Sequence, residues 1–399
     1  MKYVFSTTKK CANSCVICGA LGKPSSNYFH IGQNEKEVQA IRNLITSFGR
    51  DELSLTGGDP LMNDVVLREV VSLHHGKKGI IFNPITFLVI ELRKNAKCIN
   101  NSDISNLKDK AAVNGLSEKN REICYYLSRF DSLTISNGNL QAPSPEMMSH
   151  ALDFYSEFIL SEIKKNNSDF NEESVCSAQI NGKFESTKLI STNQALCVGR
   201  FREYFEKNMR LGGSGNNMPL FFKKEQPCSE KDELILYFKR SNKSAYIVLD
   251  ICCSVGITTY FSYNTNISLD DLAQSRPKEI KKMLYSEARK LKSTALYNML
   301  NNPEFNNPSE LEKKAWYYPE EKLNEQFREI VCSSEELLWD NTGTYRSIID
   351  NVYSFGGQKC SECEVCNTLG IMLYKAGISI KEWHDFLDIS FNKRTECQE

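Results

Sequence analysis

Three closely spaced cysteines near the N-terminus have the residue type and the spacing of a metal or iron–sulfur site. Cys11, Cys15 and Cys18 form a C-x3-C-x2-C array that directly follows a predicted strand over residues 3–7. Three thiolates on one short loop can bind three irons of a [4Fe–4S] cubane and leave the fourth iron open. An open coordination position is what catalysis at a metal requires. The spacing alone also allows a zinc-binding loop or a chance cluster.

A second set of cysteines lies in the C-terminal half. Two β-rich runs, residues 234–238 and 245–251, predict a hairpin, and three cysteines stand before and after it: Cys228, Cys252 and Cys253. A tight C-x2-C-x2-C run follows much later in the chain, at Cys360, Cys363 and Cys366. This density predicts a second metal centre, which is either an auxiliary iron–sulfur cluster or a structural zinc site.

The cysteine count and the charge narrow the class of protein. The 399 residues include 15 cysteines, an odd number, in a chain far larger than the small secreted domains that depend on disulfides. With no export signal at the N-terminus, we expect a reducing, cytoplasmic location in which clustered thiols bind metals. The formal net charge of −1 predicts neither nucleic acid nor an anionic membrane as a partner. The longest apolar run, residues 79–92, is short for a membrane span and contains Asn83 and Pro84.

Strands and helices alternate through the first part of the chain. Hydrophobic periodicity predicts strands over 3–7, 53–56, 79–82 and 132–136, and helices over 34–49, 65–73, 123–130 and 147–164. Residues 101–120 are polar, and we expect an irregular connection or an insertion there. Helix-length spacers between short strands are typical of βαβ units, so the pattern predicts an α/β fold with a parallel sheet.

Two further short motifs follow predicted strands. Gly57-Gly58-Asp59-Pro60 ends the second strand, and Ser136-Asn137-Gly138 follows the fourth. Each motif by itself predicts no more than a turn. In parallel α/β barrels, however, active sites lie at the carboxyl ends of the strands. The cysteine array and both turns are therefore expected at one edge of the sheet.

The three motifs together, in this order, resemble the radical S-adenosylmethionine superfamily over about residues 1–200. The resemblance implies that Cys11, Cys15 and Cys18 bind the catalytic [4Fe–4S] cluster. Gly57-Gly58-Asp59-Pro60 is similar to the family's GGEP segment, whose backbone binds the methionine amino group, with Asp59 in place of glutamate. Ile17 stands where the family usually has an aromatic residue near the adenine, and Ser136 lies in the fourth-strand region that helps to hold the cofactor.

The family's chemistry is radical chemistry. The resemblance implies that the amino and carboxylate groups of S-adenosylmethionine chelate the open iron. Reduction of the cluster then cleaves a carbon–sulfur bond, and the resulting 5′-deoxyadenosyl radical removes a hydrogen atom from the substrate. The resemblance also implies a reductase or a flavodoxin-type protein as the electron donor. The cofactor carries the difficult chemistry, while the protein positions the reactants.

The C-terminal cysteines resemble the SPASM or twitch extension of peptide-modifying radical enzymes. In that extension, cysteines before and after a hairpin ligate an auxiliary [4Fe–4S] cluster together with a later cysteine-rich run. The resemblance therefore implies ligands from Cys228, from Cys252 or Cys253, and from the run at 360–366, with Cys332 and Cys397 as further candidates. This chain departs from the usual C-x2-C-x5-C-x3-C run and carries about a hundred extra residues before it. The other cysteines are expected to be ordinary thiols: Cys98, Cys124, Cys176 and Cys197.

These observations lead to one predicted architecture. We expect a partial (β/α)6 barrel over 1–200, followed by an α+β iron–sulfur extension that comprises a hairpin-containing start (201–267), a helical insertion (268–330) and a cysteine-rich end (331–399). The predicted activity is modification of a peptide or protein, with at least one auxiliary cluster. A small-molecule substrate such as a sugar or nucleotide remains an alternative, as does a non-catalytic iron–sulfur or zinc protein. The oligomeric state stays open.

Overall fold

The computed structural model describes eleven stretches of the chain. They are residues 1–8, 10–12, 31–136, 143–168, 170, 175–177, 194–195, 220–221, 233–240, 245–250 and 262–292. All structural statements below concern these residues.

A mixed sheet of eight strands, in the order β10-β9-β8-β1-β2-β3-β4-β5, organises the described part of the molecule. Five parallel strands lie side by side in chain order: β1 (Lys2–Ser6), β2 (Glu52–Thr56), β3 (Lys78–Phe82), β4 (Ser132–Ile135) and β5 (Val175–Ser177). The other side of β1 carries three more strands: β8 (Glu233–Arg240), β9 (Ala245–Asp250) and β10 (Ser262–Ser268). A separate parallel pair is formed by β6 (Gln194–Ala195) and β7 (Leu220–Phe221). The predicted α/β class is confirmed.

Helices connect the parallel strands. They are α1 (Glu35–Phe48), α2 (Asp64–Leu73), α3 (Ile85–Leu92), α4 (Asn101–Asn114), α5 (Glu118–Leu127), α6 (Pro145–Phe154) and α7 (Leu160–Asn166). A further pair follows β10: α8 (Leu269–Gln274) and α9 (Pro277–Lys292). No described helix combines the length and the apolar character that a membrane crossing needs.

The core forms between the sheet and its helices. On α1, four of the five apolar residues at the predicted three- and four-residue spacing are fully buried, namely Ile41, Leu44, Ile45 and Phe48, and the fifth, Val38, is partly buried. The Phe48 ring packs on that of Tyr3 with 4.2 Å between centroids. The alternation along β1 thus places Tyr3 and Phe5 in the core, as expected for a strand covered by a helix.

The prediction of an irregular connection over 101–120 is wrong. Residues 101–114 form α4, which begins with a capping box between Asn100 and Asp103. Its apolar contact depends on Ile104, Leu107 and Ala111, while the other positions are mostly polar and mostly face solvent, and Val113 is apolar but exposed. So few apolar residues give a weak periodic signal, and the helix depends on its cap and its packing.

The predicted hairpin is confirmed. β8 and β9 pair antiparallel from Ile235–Asp250 to Arg240–Ala245, and β8 also pairs in parallel with β1. The hairpin therefore shares one sheet with the N-terminal strand. A side-chain contact adds to this link, because the Arg240 guanidinium donates to Glu37 Oε1 at 2.8 Å. Whether domain boundaries fall at the predicted positions stays a prediction.

A buried tyrosine hydroxyl in the core has no hydrogen-bond partner among the described residues. Tyr155 begins a π-helical turn, Tyr155–Ile159, between α6 and α7, and its ring packs near Phe82 and Phe87. Within the described residues its hydroxyl makes no hydrogen bond. We expect Tyr155→Phe to raise the free energy of unfolding by about 1–3 kcal/mol, because the penalty of an unpaired buried hydroxyl disappears.

Urea denaturation tests this expectation against a matched variant. Tyr126→Phe removes a hydroxyl that donates to Glu122 Oε1 at 2.8 Å, so it should lower the free energy of unfolding by about 1 kcal/mol. If Tyr155→Phe destabilised the protein as Tyr126→Phe does, the Tyr155 hydroxyl would have a partner and the expectation would be wrong.

A buried histidine makes stability depend on pH. Burial, followed by the positive charge of Lys78, lowers the pKa of His74. A histidine whose pKa is lowered by folding stabilises the protein above its ordinary pKa of about 6.5, and this contribution is lost as the pH falls. We expect His74 to lower the free energy of unfolding below about pH 6.5, with a slope approaching 1.4 kcal/mol per pH unit. This slope is measured as the difference between the wild type and a His74→Gln variant, because Asp59, whose pKa burial raises to about 7, contributes a slope of opposite sign in both proteins. Urea denaturation between pH 5 and pH 8 measures the slope.

The neighbouring histidine provides the control. His75 is exposed, whereas His74 is 2% exposed. His74→Gln should remove the contribution of His74 to the slope of the free energy of unfolding against pH. His75→Gln should leave that slope nearly unchanged. Equal slopes in the wild type and in the His74→Gln variant would contradict the assignment.

Candidate functional site

The candidate site lies where the parallel strands β1, β2 and β3 end. Residues 7–12 leave β1, residues 57–60 leave β2, and residues 83–86 leave β3. Because these strands are adjacent and parallel, their three outgoing segments meet at one edge of the sheet. Cys11 and the Gly-Gly-Asp-Pro turn, two of the predicted site motifs, both belong to this edge.

Backbone hydrogen bonds join the segment that carries Cys11 to the turn after β2. The Thr7 amide donates to the Thr56 carbonyl at 2.9 Å, which extends the strand pairing. Beyond it, the Gly58 amide donates to Thr8 O at 2.6 Å and the Asp59 amide donates to Lys10 O at 2.9 Å. Cys11 follows directly, and its side chain is buried. The first predicted cluster ligand and the predicted cofactor-binding turn are therefore held side by side.

Gly57 has a conformation that other residues rarely adopt. Its φ is +127°, and a Cβ at this position would lie 2.6 Å from Thr8 O and 2.7 Å from Ser6 Oγ. A glycine allows the two strand ends to approach this closely. Within the described part of the chain, the carbonyl oxygens of Gly57 and Gly58 accept no hydrogen bond, although both residues are partly exposed. The turn therefore presents two backbone acceptors.

Asp59 has a buried side chain that interacts with its own turn and with the next strand end. One carboxyl oxygen, Oδ1, accepts from the Leu61 amide at 3.1 Å, and Oδ2 accepts from the Thr86 hydroxyl. The backbone of Asn83 also hydrogen-bonds to this carboxyl. Burial raises the pKa of Asp59 to about 7, and the hydrogen bonds from Thr86, Leu61 and Asn83 oppose that rise. The carboxyl is fully buried, so its main contribution is to hold the turn.

Asn63 is a site residue that the sequence analysis missed. Its side chain is fully buried, and Nδ2 donates to Thr7 O at 3.0 Å and to Ile31 O at 3.2 Å. Its Oδ1 accepts from the Val66 amide and so caps α2. An asparagine before an amphipathic helix signals a cap, but nothing in the local sequence indicates the two long-range bonds.

The third predicted motif lies farther along the same edge. The Ser136 amide donates to Phe82 O at 2.8 Å, so this residue follows the end of β4 beside β3. No described contact joins Ser136 to Cys11 or to the turn after β2.

Most predicted metal ligands lie outside the described residues. These are Cys15 and Cys18 of the first motif and the auxiliary candidates Cys228, Cys252, Cys253, Cys332, Cys360, Cys363, Cys366 and Cys397. Ile17, predicted as a cofactor contact, also lies outside the described residues. Among the residues that the structure does describe, no three metal-binding side chains converge. Cys98 is an exposed free thiol and Cys124 is a buried one, whose pKa is raised mainly by burial. Both agree with their prediction as ordinary thiols.

Comparison with known proteins adds no assignment. No protein-family model matches the chain, and no curated protein matches its sequence. What the molecule itself defines is an α/β protein with a mixed sheet and a glycine turn beside a cysteine at the carboxyl edge of parallel strands.

Proposed function

We propose that this chain is a radical S-adenosylmethionine enzyme whose catalytic [4Fe–4S] cluster is bound by Cys11, Cys15 and Cys18. The observation that carries the proposal is the pair of hydrogen bonds from Gly58 to Thr8 and from Asp59 to Lys10. They hold the first cysteine of a C-x3-C-x2-C array beside the Gly-Gly-Asp-Pro turn. The fold would then be a partial (β/α)6 barrel with a C-terminal extension, and the sequential parallel order of β1 to β5 supports this architecture.

The chemistry of the donor groups fits the proposed cofactors. Three thiolates suit three irons of a cubane. The carbonyls of Gly57 and Gly58, which accept no hydrogen bond from the described residues, suit an ammonium group, because such a group donates hydrogen bonds and accepts none. Ile17 and Ser136 are the proposed further contacts to S-adenosylmethionine. When bound, the cluster and S-adenosylmethionine would supply one-electron cleavage of a carbon–sulfur bond and a carbon-centred radical.

The protein's own residues would position the reactants. Gly57 lets the turn approach β1, and Asp59 anchors that turn without itself reaching solvent. Asn63 binds the carbonyls of Thr7 and Ile31, residues that lie before and after the cysteine array in sequence. The two ends of the segment that carries the proposed ligands are thus tied to a single side chain, which restricts the geometry of the loop.

The proposed substrate is a peptide or protein that is modified after translation. Support comes from the cysteines around the hairpin: Cys228 precedes β8, and Cys252 and Cys253 follow β9, in a sheet shared with β1. With Cys360, Cys363 and Cys366 they would bind at least one auxiliary [4Fe–4S] cluster. A reductase or flavodoxin-type protein would supply the electrons, in the cytoplasm.

Iron and sulfide analysis after anaerobic reconstitution tests the proposal. We expect about eight irons in the wild type and about four in a Cys11/Cys15/Cys18→Ala variant if there is one auxiliary cluster, and about twelve in the wild type if there are two. Dithionite and S-adenosylmethionine should yield 5′-deoxyadenosine with the wild type alone. A Cys98→Ala variant, which removes an exposed free thiol, should match the wild type.

Three outcomes would count against the proposal. Zinc in place of iron would indicate a structural metal protein. Iron content unaffected by the triple substitution would remove the catalytic cluster from this loop. An iron-loaded protein that neither binds S-adenosylmethionine nor forms 5′-deoxyadenosine would indicate a non-catalytic iron–sulfur protein. If the protein converted a sugar or a nucleotide while forming 5′-deoxyadenosine, the proposed radical chemistry would stand and the proposed peptide substrate would be wrong.

A further inference from the structure

Asp59 links three strand ends through its side chain and its backbone amide. Its carboxyl accepts from the Leu61 amide, from the backbone of Asn83 and from the Thr86 hydroxyl, while its own amide donates to Lys10 O at 2.9 Å. Lys10 immediately precedes Cys11. Through this one residue, the start of the cysteine loop, the turn after β2 and the corner after β3 are joined.

Thr86 supplies a side-chain donor to this network from outside the predicted motifs. It is fully buried in the first turn of α3, and its hydroxyl donates to Asp59 Oδ2. A threonine hydroxyl near the start of a helix commonly finds a local backbone partner. Here the Thr86 hydroxyl instead donates to a carboxyl that lies 27 residues earlier in the chain.

The corner that carries Thr86 is held firmly. Asn83 Oδ1 accepts from the Ile85 amide at 3.0 Å, which fixes the chain directly before α3. Phe87, which follows Thr86 in the chain, is fully buried and packs edge-on against Phe82 with 6.0 Å between ring centroids. The hydroxyl is therefore presented from a rigid support, and Asp59 cannot keep this bond while its turn shifts.

We propose that Thr86 is a positioning residue for the cofactor site, acting through Asp59 to hold the Gly57-Gly58 carbonyls against the cysteine loop. This inference rests on the proposed function. Without the hydroxyl, the buried Asp59 carboxyl loses one of its donors and the turn gains freedom to move away from Lys10. Loss of such an outer hydrogen bond typically lowers the affinity or activity that depends on the oriented group by about 10–100-fold.

The test compares Thr86→Val with Thr86→Ser in the reconstituted full chain. Valine keeps the shape and removes the hydroxyl, whereas serine keeps the hydroxyl. We expect both variants to bind iron as the wild type does. The dissociation constant for S-adenosylmethionine should rise about tenfold or more in Thr86→Val and return close to the wild-type value in Thr86→Ser. The change that S-adenosylmethionine causes in the electron paramagnetic resonance spectrum of the reduced cluster should be altered only in Thr86→Val.

A remote threonine provides the control for hydroxyl loss. Thr46 is exposed on α1, and its hydroxyl donates to Arg42 O at 2.7 Å. Thr46→Val should leave both the affinity and the spectrum unchanged. Thr86→Ala serves as the second hydroxyl-free variant if Thr86→Val does not fold, with the same expected loss of affinity.

The outcomes separate this inference from the function on which it rests. Wild-type affinity and an unaltered spectrum in Thr86→Val or Thr86→Ala would overturn the positioning role while leaving the proposed function in place. Equal weakening in Thr86→Ser and Thr86→Val would also overturn it, because the hydroxyl would then be irrelevant. A wild-type protein that binds no iron or no S-adenosylmethionine would overturn the proposed function itself, and the inference with it.

Discussion

Replacing Gly57 with alanine is expected to produce one of the largest losses of stability available in the described part of this protein. The new Cβ would lie 2.6 Å from Thr8 O, a backbone atom that moves only if β1 moves. Unfavourable backbone conformation costs about 1–3 kcal/mol, and the forced displacement of packed neighbours adds about 1–3 kcal/mol. Urea denaturation of the Gly57→Ala variant should show this combined decrease in the free energy of unfolding.

Gly49 separates the two contributions. It has a φ of +64°, but a Cβ placed there meets no atom within 4 Å. Gly49→Ala should therefore show the conformational cost alone, about 1–3 kcal/mol. If both variants lost the same stability, the close approach at Gly57 would be absent. Under the proposed function, the Gly57→Ala variant should also lose affinity for S-adenosylmethionine, since the turn cannot keep its place beside β1.

Replacing Asn63 with aspartate is expected to destabilise the protein by about 3 kcal/mol or more, although the two side chains have nearly the same shape. The variant keeps an oxygen for the Val66 amide and loses the Nδ2 donor. A carboxylate oxygen would then face the carbonyls of Thr7 and Ile31, at distances near the present 3.0 and 3.2 Å. Two acceptors lose their donor, and an unpaired negative charge is buried between them.

The pH dependence of the Asn63→Asp variant gives a second signature. Burial next to two carbonyls raises the pKa of the introduced carboxyl, so its proton is bound more tightly in the folded state. The loss of stability should therefore be largest near neutral pH and shrink as the pH falls. Denaturation at pH 5 and at pH 8 measures the difference.

Asn34→Asp is the control for the asparagine-to-aspartate change. Asn34 is exposed and caps α1, with its Oδ1 accepting from the Glu37 amide at 3.0 Å. Aspartate is as good a cap as asparagine, so the stability should change by less than about 0.5 kcal/mol. A small effect for both variants would mean that Asn63 does not tie the two ends of the cysteine loop.

The successes of sequence analysis follow from local signals. The predicted helix at 34–49 appears as Glu35–Phe48 because its apolar residues repeat at the helical period. The hairpin around residues 241–244 was predicted for the same kind of reason, from two β-rich runs separated by a short polar turn. Strong periodicity requires no knowledge of partners, since the chain need only have one face to bury.

The helices that were not predicted have weak or mixed local signals. The strand predicted at 79–82 is present as Lys78–Phe82, but the helix Ile85–Leu92 in the same apolar run was not predicted, because its nearly continuous apolar residues show little helical period. In α4, only three buried residues mark the inner face, so the polar outer face dominated the pattern. Each error arises where the tertiary packing supplies what the local pattern lacks.

The sequence by itself determined the candidate motifs and their order along the chain. The cysteine spacing, the paired glycines before Asp59-Pro60 and the strands that precede them are all local properties, and spacing is sufficient to read them. The sequence alone did not predict that β8 pairs with β1, because pairing between strands more than 200 residues apart depends on which surfaces meet in the folded chain.

Only the tertiary structure decided how the site is held together. The fold buries Asp59 and directs the Thr86 hydroxyl to its carboxyl. It also gives the Asn63 side chain one acceptor on each side of the cysteine loop. These bonds span 27 to 56 residues, and no local pattern predicts which distant polar groups become neighbours once water is excluded. Burial then makes each bond expensive to break, which is why a threonine and an asparagine outside the motifs are expected to matter as much as the motifs themselves.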